Sequence, residues 1–253
     1  VAIAVCNESQ IFNYVAEGRA RMYHRSVMGF YCALAEANVP CGFAWPDDFR
    51  NFKVLLLPFP LMIEEDTAKR LRSFVKGGGI LISEPCPGWF VDHGMLSSRC
   101  PGHGLDELFG LSVKDTKPFL PEAPGDLPGR PPVVRHRAIF ELGNAEVLED
   151  DDSGALLTSA SFGGGRAMML SVFAAGASIP GGGQLIRKAL AHAGIKPGLG
   201  ADCGVIARLH EGEGGGFLYL VNETTAEQLI EALVGDYSSA RSCLLYTSDA
   251  ADE

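Results

Sequence analysis

The stretch FKVLLLPFPLMIEEDTAKRLRSFVKGGGILISEP, residues 52–85, predicts a strand, a helix and a second strand in succession. Its two strand segments, KVLLLP and GILIS, are almost entirely apolar, which is typical of parallel strands buried on both faces. Between them, Glu64 to Lys76 begins with acidic residues and ends with a basic one, the order that the helix dipole favours. Leu71, Phe74 and Val75 face inward from this helix, so it can cover a parallel βαβ unit.

The segments before this unit extend the same pattern. VAIAVC at 1–6 and the later CGFAW predict two more buried strands, and DDFRNF predicts a loop leading to KVLLLP. From Ala20 onward apolar residues recur at steps of four and three, which predicts a helix whose inward side carries Tyr23, Val27, Phe30, Leu34 and Ala37. The predicted fold class is α/β, an open parallel sheet with helices on both faces.

The carboxyl edge of such a sheet is where ligands usually bind. Asn7–Gln10, Pro58–Pro60 and Glu84–Trp89 each follow a predicted strand, so we expect them to lie at this edge. The glycine-rich runs of the chain lack the strand, glycine loop and helix order of a phosphate-binding loop. No cofactor is therefore expected.

The segments after residue 85 predict a loop over 85–104, a short helix in GLDELFG and a proline-rich surface excursion from Lys117 to Pro132. Short strands are predicted in RAIFEL, AEVLED and GALLTSASF, and the glycines at 163–165 predict a hairpin into RAMMLSVF. Gly182 to Gly194 predicts a closing helix. Together these elements complete one α/β domain over residues 1–200.

The pattern changes from Gly204 onward. GVIARLHEGEGGGFLYLVNET predicts two alternating strands around a glycine turn, and we interpret residues 204–242 as the truncated start of an all-β domain. The last segment, CLLYTSDAADE at 243–253, is similar to a translated sequencing adapter, so a non-native tail is expected there. Because Val1 is not a start methionine, we expect an internal fragment of a longer protein.

The composition narrows the choice of partners. A formal charge of -10 without a cluster of Lys and Arg argues against nucleic acid and anionic membrane surfaces. No apolar stretch reaches the roughly 20 residues that span a bilayer. The 7 cysteines are scattered, which favours reduced thiols and a cytoplasmic location.

Cys86, in EPCPG, is the first candidate for chemistry. A cysteine nucleophile at a strand end needs a tight turn, a nearby base and backbone N–H groups that stabilise an oxyanion. Pro87 removes one of those N–H groups, which favours an ordinary loop thiol. A stand-alone amidotransferase-like hydrolase that uses Cys86 stays open as an alternative hypothesis.

Two thiols and two imidazoles in the same loop raise the question of a zinc site: Cys86, His93, Cys100 and His103. Structural zinc sites usually have ligand pairs roughly two to four residues apart at both ends. Only Cys100 and His103 are that close in sequence, so no metal is expected.

The remaining candidates for a functional role are a carboxylate and two aromatic rings. Glu84 is the one carboxylate well placed at a strand end, whereas glycoside hydrolysis needs a pair, so no catalytic residue is assigned. Trp89 and Phe90 lie outside any periodic apolar pattern, and together with His93 they are candidates for contact with another domain, a second subunit or a sugar ring. Simple local packing of the two rings is an equal alternative.

Four linked segments resemble the β-galactosidase trimerisation domain, the middle domain of family-42 glycoside hydrolases: YHRSVMGFYCALAEANVPCGFAW, residues 52–85, PGWF and PGHGLDELFG. The resemblance covers roughly residues 1–200 and is strongest over 20–111. It implies a fold similar to class I glutamine amidotransferases and flavodoxin, without the catalytic cysteine arrangement of the amidotransferases. Residues 204–234 resemble the start of the C-terminal β-sandwich of the same enzymes.

This resemblance implies a non-catalytic domain that holds a homotrimer together and has no cofactor of its own. The parent would be a retaining hydrolase of terminal β-galactosides, with both catalytic glutamates on a barrel upstream of Val1. Carbohydrate would then be a partner only through the parent enzyme. A carbohydrate-binding module is a further alternative hypothesis.

Overall fold

The structure is a computed structural model that describes residues 1–118, 136–174, 183–198, 205–213 and 215–222. The chain divides into two compact units, Val1–Gly198 and Leu199–Glu253. Most of the proline-rich segment and the expected tail at 243–253 lie outside the described residues. Within the described ranges, no helix is long and apolar enough to cross a membrane.

The secondary structure of the described ranges is as follows. The strands in chain order are β1 (Ala2–Ala4), β2 (Gly42–Ala44), β3 (Val54–Leu57), β4 (Ile80–Ser83), β5 (Phe90–Val91), β6 (Met95–Leu96), β7 (Leu111–Pro118), β8 (His136–Leu142), β9 (Glu146–Asp151), β10 (Gly154–Phe162), β11 (Gly165–Leu170), β12 (Val205–Gly212) and β13 (Gly215–Asn222). The α-helices are α1 (Asn7–Glu17), α2 (Arg21–Glu36), α3 (Glu65–Lys76), α4 (Leu105–Phe109) and α5 (Gln184–His192).

A seven-stranded sheet of order β2-β1-β3-β4-β11-β10-β9 forms the centre of the first unit. The first five strands in this order pair in parallel, whereas β10 pairs antiparallel with both β11 and β9. The sheet is therefore mostly parallel, and the hairpin predicted at residues 163–165 supplies its antiparallel part.

Side chains of the central strands alternate between two hydrophobic cores, one on each face of the sheet. Ala2 and Ala4 of β1 belong to the core that contains the buried residues of α3 and α4. Ile3, between them, belongs to the core that contains Phe30 and Leu34 of α2 and the buried residues of α5. Full burial of an aliphatic side chain such as Ile3 contributes roughly 1.5–3 kcal/mol of transfer free energy. The prediction of helices on both faces is confirmed.

Smaller antiparallel sheets accompany the main one. β5 pairs with β6, and β7 pairs with β8. In the second unit β12 pairs with β13, from Val205 opposite Asn222 to Gly212 opposite Gly215, as the glycine turn predicts. Sequence reasoning missed β7, and it assigned Lys117 to the surface excursion although this residue pairs with Arg137 of β8.

The loop predicted at DDFRNF is wrong, because Pro46–Asn51 forms a 3₁₀ helix. Pro46 stands at its start, where a missing backbone N–H costs nothing, and Asp47 and Asp48 lie in its first turn. Asp47 also pairs with Arg70 of α3 at 2.6 Å. The segment is too short to show a periodic apolar pattern, so the sequence alone does not indicate this 3₁₀ helix.

Sequence reasoning also missed helix α1, because this helix has an inverted polarity: polar side chains face the core and apolar ones face outward. Ser9 and Asn13 are buried, whereas Ile11, Tyr14 and Val15 are exposed. The Ser9 hydroxyl donates to the Met62 carbonyl at 2.5 Å and accepts from the Met62 N–H at 3.2 Å. An inward stripe of polar residues does not resemble the apolar stripe by which buried helices are recognised.

The buried Asn13 caps the next helix from outside it. Its Oδ1 accepts hydrogen bonds from the backbone N–H groups of Met22 at 3.1 Å and Tyr23 at 3.2 Å. These N–H groups belong to the first turn of α2, where backbone N–H groups have no acceptor within the helix. Ala20, at the N-cap, has no side-chain acceptor for them. Asn13 therefore fixes α2 relative to α1.

We expect Asn13→Ala to lower the free energy of unfolding by about 1–2 kcal/mol, the usual cost of losing a helix cap. Urea denaturation followed by circular dichroism measures the change. Gln10→Ala is the matched control on the same helix, since its amide only contacts the exposed His24 ring. An equal loss in both variants would contradict the capping role.

Candidate functional site

The carboxyl edge of the sheet brings together the segments that sequence reasoning assigned to it. Ser9, after β1, is hydrogen-bonded to Met62, beyond β3. Gly88, after β4, donates its backbone N–H to the Pro60 carbonyl at 2.8 Å. The predicted meeting of these three segments is therefore confirmed.

Glu84 lies at the centre of this edge and is fully buried. Its Oε2 accepts a hydrogen bond from the Phe59 N–H at 2.7 Å, and its Oε1 accepts one from the Ala174 N–H at 2.5 Å. Phe59 follows β3 and Ala174 follows β11, so one carboxyl group joins the ends of three neighbouring strands. The Ala174 carbonyl packs on Gly29 of α2, where an added Cβ would come within 1.8 Å of that oxygen.

Burial raises the pKa of Glu84 to about 7, because the carboxylate loses its hydration. The N–H groups of Phe59 and Ala174 oppose this shift by stabilising the charged form. The Ser26 hydroxyl acts in the same direction, although it lies near the carboxyl without completing a hydrogen bond of normal geometry. Since both carboxyl oxygens are engaged by backbone donors, Glu84 acts as a structural bridge.

Cys86 is only 1% exposed and has a backbone φ of +64°. The neighbouring Cys100 thiol and burial together raise the pKa of Cys86 well above its ordinary value. A cysteine nucleophile needs the opposite shift, because the thiolate is the reactive form. The raised pKa therefore opposes a role for Cys86 as the catalytic nucleophile of an amidotransferase-like hydrolase.

The four side chains considered for zinc do not converge. Cys86 and Cys100 are neighbours, whereas His103 Nε2 lies 3.2 Å from an Asp92 carboxylate oxygen. His93 is exposed at the turn between β5 and β6. In the parts of the chain that the structure describes, no three His, Cys, Asp or Glu side chains form a group that could hold a metal ion.

The three residues suggested as contact residues differ in exposure. The Phe90 ring packs on Phe12 of α1, with ring centroids 4.4 Å apart. Its backbone is bonded to Leu61 and Ile63, so Phe90 has a local packing role. Trp89 is partly exposed and His93 is exposed, which leaves both side chains accessible to another molecule.

Helices α1 and α2 expose an apolar surface that sequence reasoning missed. We call it the α1–α2 surface and define it by five residues with the following exposed fractions: Ile11 (62%), Tyr14 (60%), Val15 (76%), Met28 (49%) and Tyr31 (43%). His24 connects the residues on α1 with those on α2. It lines a shallow depression with Ile11 and Tyr14 of α1, and on α2 it lies on the same side as Met28 and Tyr31. The i, i+3, i+4 spacing of Ile11, Tyr14 and Val15 was the available signal.

The fold defines an α/β domain built on a mostly parallel sheet. The model of the β-galactosidase trimerisation domain family matches residues 1–196, which is most of the chain. The chain belongs to this family.

Solved structures share the fold. The β-galactosidase from Bacillus circulans sp. alkalophilus superposes with a TM-score of 0.67 and 20% identity, over 87% of this chain and 35% of that one. The β-galactosidase from Rahnella sp. R3 gives a TM-score of 0.69 and 18% identity, over 90% of this chain and 36% of that one. The chain thus spans about a third of the length of these proteins.

A curated relative matches a shorter segment. β-Galactosidase GanA of Bacillus subtilis (strain 168) is 25% identical over 103 residues, which is 40% of this chain and 15% of that protein. The similarity in sequence thus covers a small part of GanA.

The buried Glu84 predicts a specific pH dependence of stability. Its pKa is higher in the folded chain, about 7, than in the unfolded chain, about 4.5. The folded state therefore holds the extra proton, and the associated stability is complete below the lower pKa and is lost as the pH rises through the higher one. We expect the advantage of the wild type over Glu84→Gln to shrink by up to about 3 kcal/mol between pH 4 and pH 8.

Urea denaturation at several pH values measures this difference. Glu149→Gln is the control with the opposite sign, because Lys188 and His192 lower the pKa of Glu149. Its contribution to stability is lost as the pH falls. A wild-type advantage over Glu84→Gln that does not change with pH would contradict the assignment.

Proposed function

We propose that the chain is the self-association domain of a glycoside hydrolase and that it acts by burying the α1–α2 surface against a second copy. The observation that carries this proposal is the inverted polarity of α1. Polar side chains hold the helix onto its own unit, while Ile11, Tyr14 and Val15 stay exposed. A group of exposed apolar side chains on neighbouring helices of a folded domain is typical of protein–protein contact.

The assembly we propose is a homotrimer, as the family's description implies. In a closed ring of three copies each interface is heterologous, so the α1–α2 surface meets a different surface of the next copy. Arg19 and Arg21 border the depression on this surface, which favours an acidic rim on the partner face.

The parent protein we propose is a β-galactosidase that hydrolyses terminal β-galactosides in carbohydrate metabolism. The names of the solved proteins that share the fold support this proposal. In this proposal the catalytic glutamates belong to a separate barrel domain, and residues 1–200 hold the barrels around the trimer axis. Carbohydrate is bound by the parent enzyme.

The remaining structural assignments are proposals of the same kind. We class the first unit with the glutamine amidotransferase-like and flavodoxin-like folds, on the strength of its parallel strands β2-β1-β3-β4. We assign residues 204–242 to the start of a β-sandwich, which the β12–β13 hairpin supports.

The first test is the mass of the chain in solution. We expect light scattering to give three times the 26.9 kDa of one chain. Tyr14→Glu, which places a charge within the α1–α2 surface, should weaken the association by about 100-fold, since desolvating an unpaired charge at an interface costs several kcal/mol.

The matched control introduces the same charge on another exposed apolar position. Val147 is 41% exposed on β9, the edge strand farthest from β1 and β2 in the sheet. Val147→Glu should leave the trimer intact. A monomeric wild-type chain, or equal weakening by both substitutions, would contradict the proposal.

We further propose that Trp89 and His93 contact the neighbouring copy. The chain has 2 tryptophans, so Trp45→Phe leaves Trp89 as the only one. In this background we expect the fluorescence of Trp89 to shift to shorter wavelength as the protein concentration drives association, because contact excludes water from the ring. A change caused instead by methyl β-galactoside, without any change on association, would contradict this role and support a sugar-binding module.

A further inference from the structure

Two copies of the same tripeptide lie side by side next to the carboxyl edge. Cys86-Pro87-Gly88 follows β4, and Cys100-Pro101-Gly102 precedes α4. The Gly102 N–H donates to the Pro87 carbonyl at 3.0 Å. A Cβ added to Gly102 would come within 2.2 Å of the Gly88 carbonyl oxygen, so the two backbones are in close contact.

This backbone contact also brings the two thiols together. The Cys86 and Cys100 side chains are neighbours, and neither residue forms a disulfide. Cys86 is buried, whereas Cys100 is partly exposed and can meet a solute.

We propose that Cys86 and Cys100 form a reversible disulfide when the chain meets a peroxide. Because the two backbones are in contact, the neighbouring side chains can bring their sulfur atoms to the bonding distance of about 2.05 Å. The proposal is independent of self-association, because both thiols belong to one chain.

The reaction has two steps. First the partly exposed Cys100 loses its thiol proton and its thiolate attacks hydrogen peroxide, so that an S–O bond forms and the O–O bond breaks, giving a sulfenic acid. The leaving hydroxide takes up the proton that Cys100 lost and becomes water. Then the Cys86 sulfur attacks the Cys100 sulfur, the S–O bond breaks, and the leaving hydroxide takes up the Cys86 proton as water. Two thiols are oxidised by two electrons, and one peroxide is reduced to two waters.

The disulfide would close the segment between the two cysteines, which carries β5, β6 and the contact candidates Trp89 and His93. A covalent link of this kind removes freedom from the unfolded chain and so stabilises the folded one. Oxidation would therefore raise the stability of the folded unit.

The experiment treats the whole chain with hydrogen peroxide, blocks remaining thiols with iodoacetamide and digests with trypsin without reduction. Cleavage after Lys76, Arg99 and Lys114 places Cys86 and Cys100 in separate peptides, 77–99 and 100–114. We expect the two peptides to be joined, with a mass about 2 Da below the sum of the reduced peptides, and to separate after dithiothreitol. We also expect oxidation to raise the thermal midpoint by roughly 5 °C.

Cys100→Ser should abolish both the joined peptide and the thermal shift, while Cys41→Ser, at another partly exposed cysteine, should retain them. The peptide map of the wild type decides the question even if a variant fails to fold. Alkylation of Cys86 after full peroxide treatment, over-oxidation of Cys100 without a joined peptide, or joining only between chains on a non-reducing gel would overturn the proposal.

Discussion

The arrangement of the first unit depends on one buried carboxyl group. Glu84 accepts the backbone N–H groups of Phe59 and Ala174, and through them it joins the ends of β3, β4 and β11. Without these bonds the two N–H groups would be left unsatisfied in the core, at a cost of about 1–3 kcal/mol each. The raised pKa records the competing cost of removing the carboxylate from water.

The same edge links the core of the unit to its outer surface. Ser9 of α1 bonds to the segment after β3, and Asn13 caps α2, so polar contacts hold α1 in place. Because these polar contacts and the packing of Phe12 on Phe90 hold the helix, Ile11, Tyr14 and Val15 are free to face outward. The inverted polarity of α1 thus has two consequences: its polar residues anchor the helix, and Ile11, Tyr14 and Val15 are exposed.

Most regular elements could be predicted from sequence, because each depends on neighbours along the chain. The runs at β3 and β4 and the apolar stripes of α2, α3 and α5 all carry a clear period. Two of the exceptions have physical reasons. Helix α1 buries polar residues, and the 3₁₀ helix Pro46–Asn51 is too short to show a period.

The sequence predicted where the candidate site lies, but it did not predict which groups its buried polar side chains contact. Sequence alone determined that segments after the strands would meet at one edge, because parallel strands share their direction. Only the tertiary structure decided that Glu84 bridges Phe59 and Ala174, and that Cys86 meets Cys100, because these partners are distant in sequence. Local patterns determine which residues form a strand or helix, whereas the packing of the whole unit selects the group that each buried polar atom reaches.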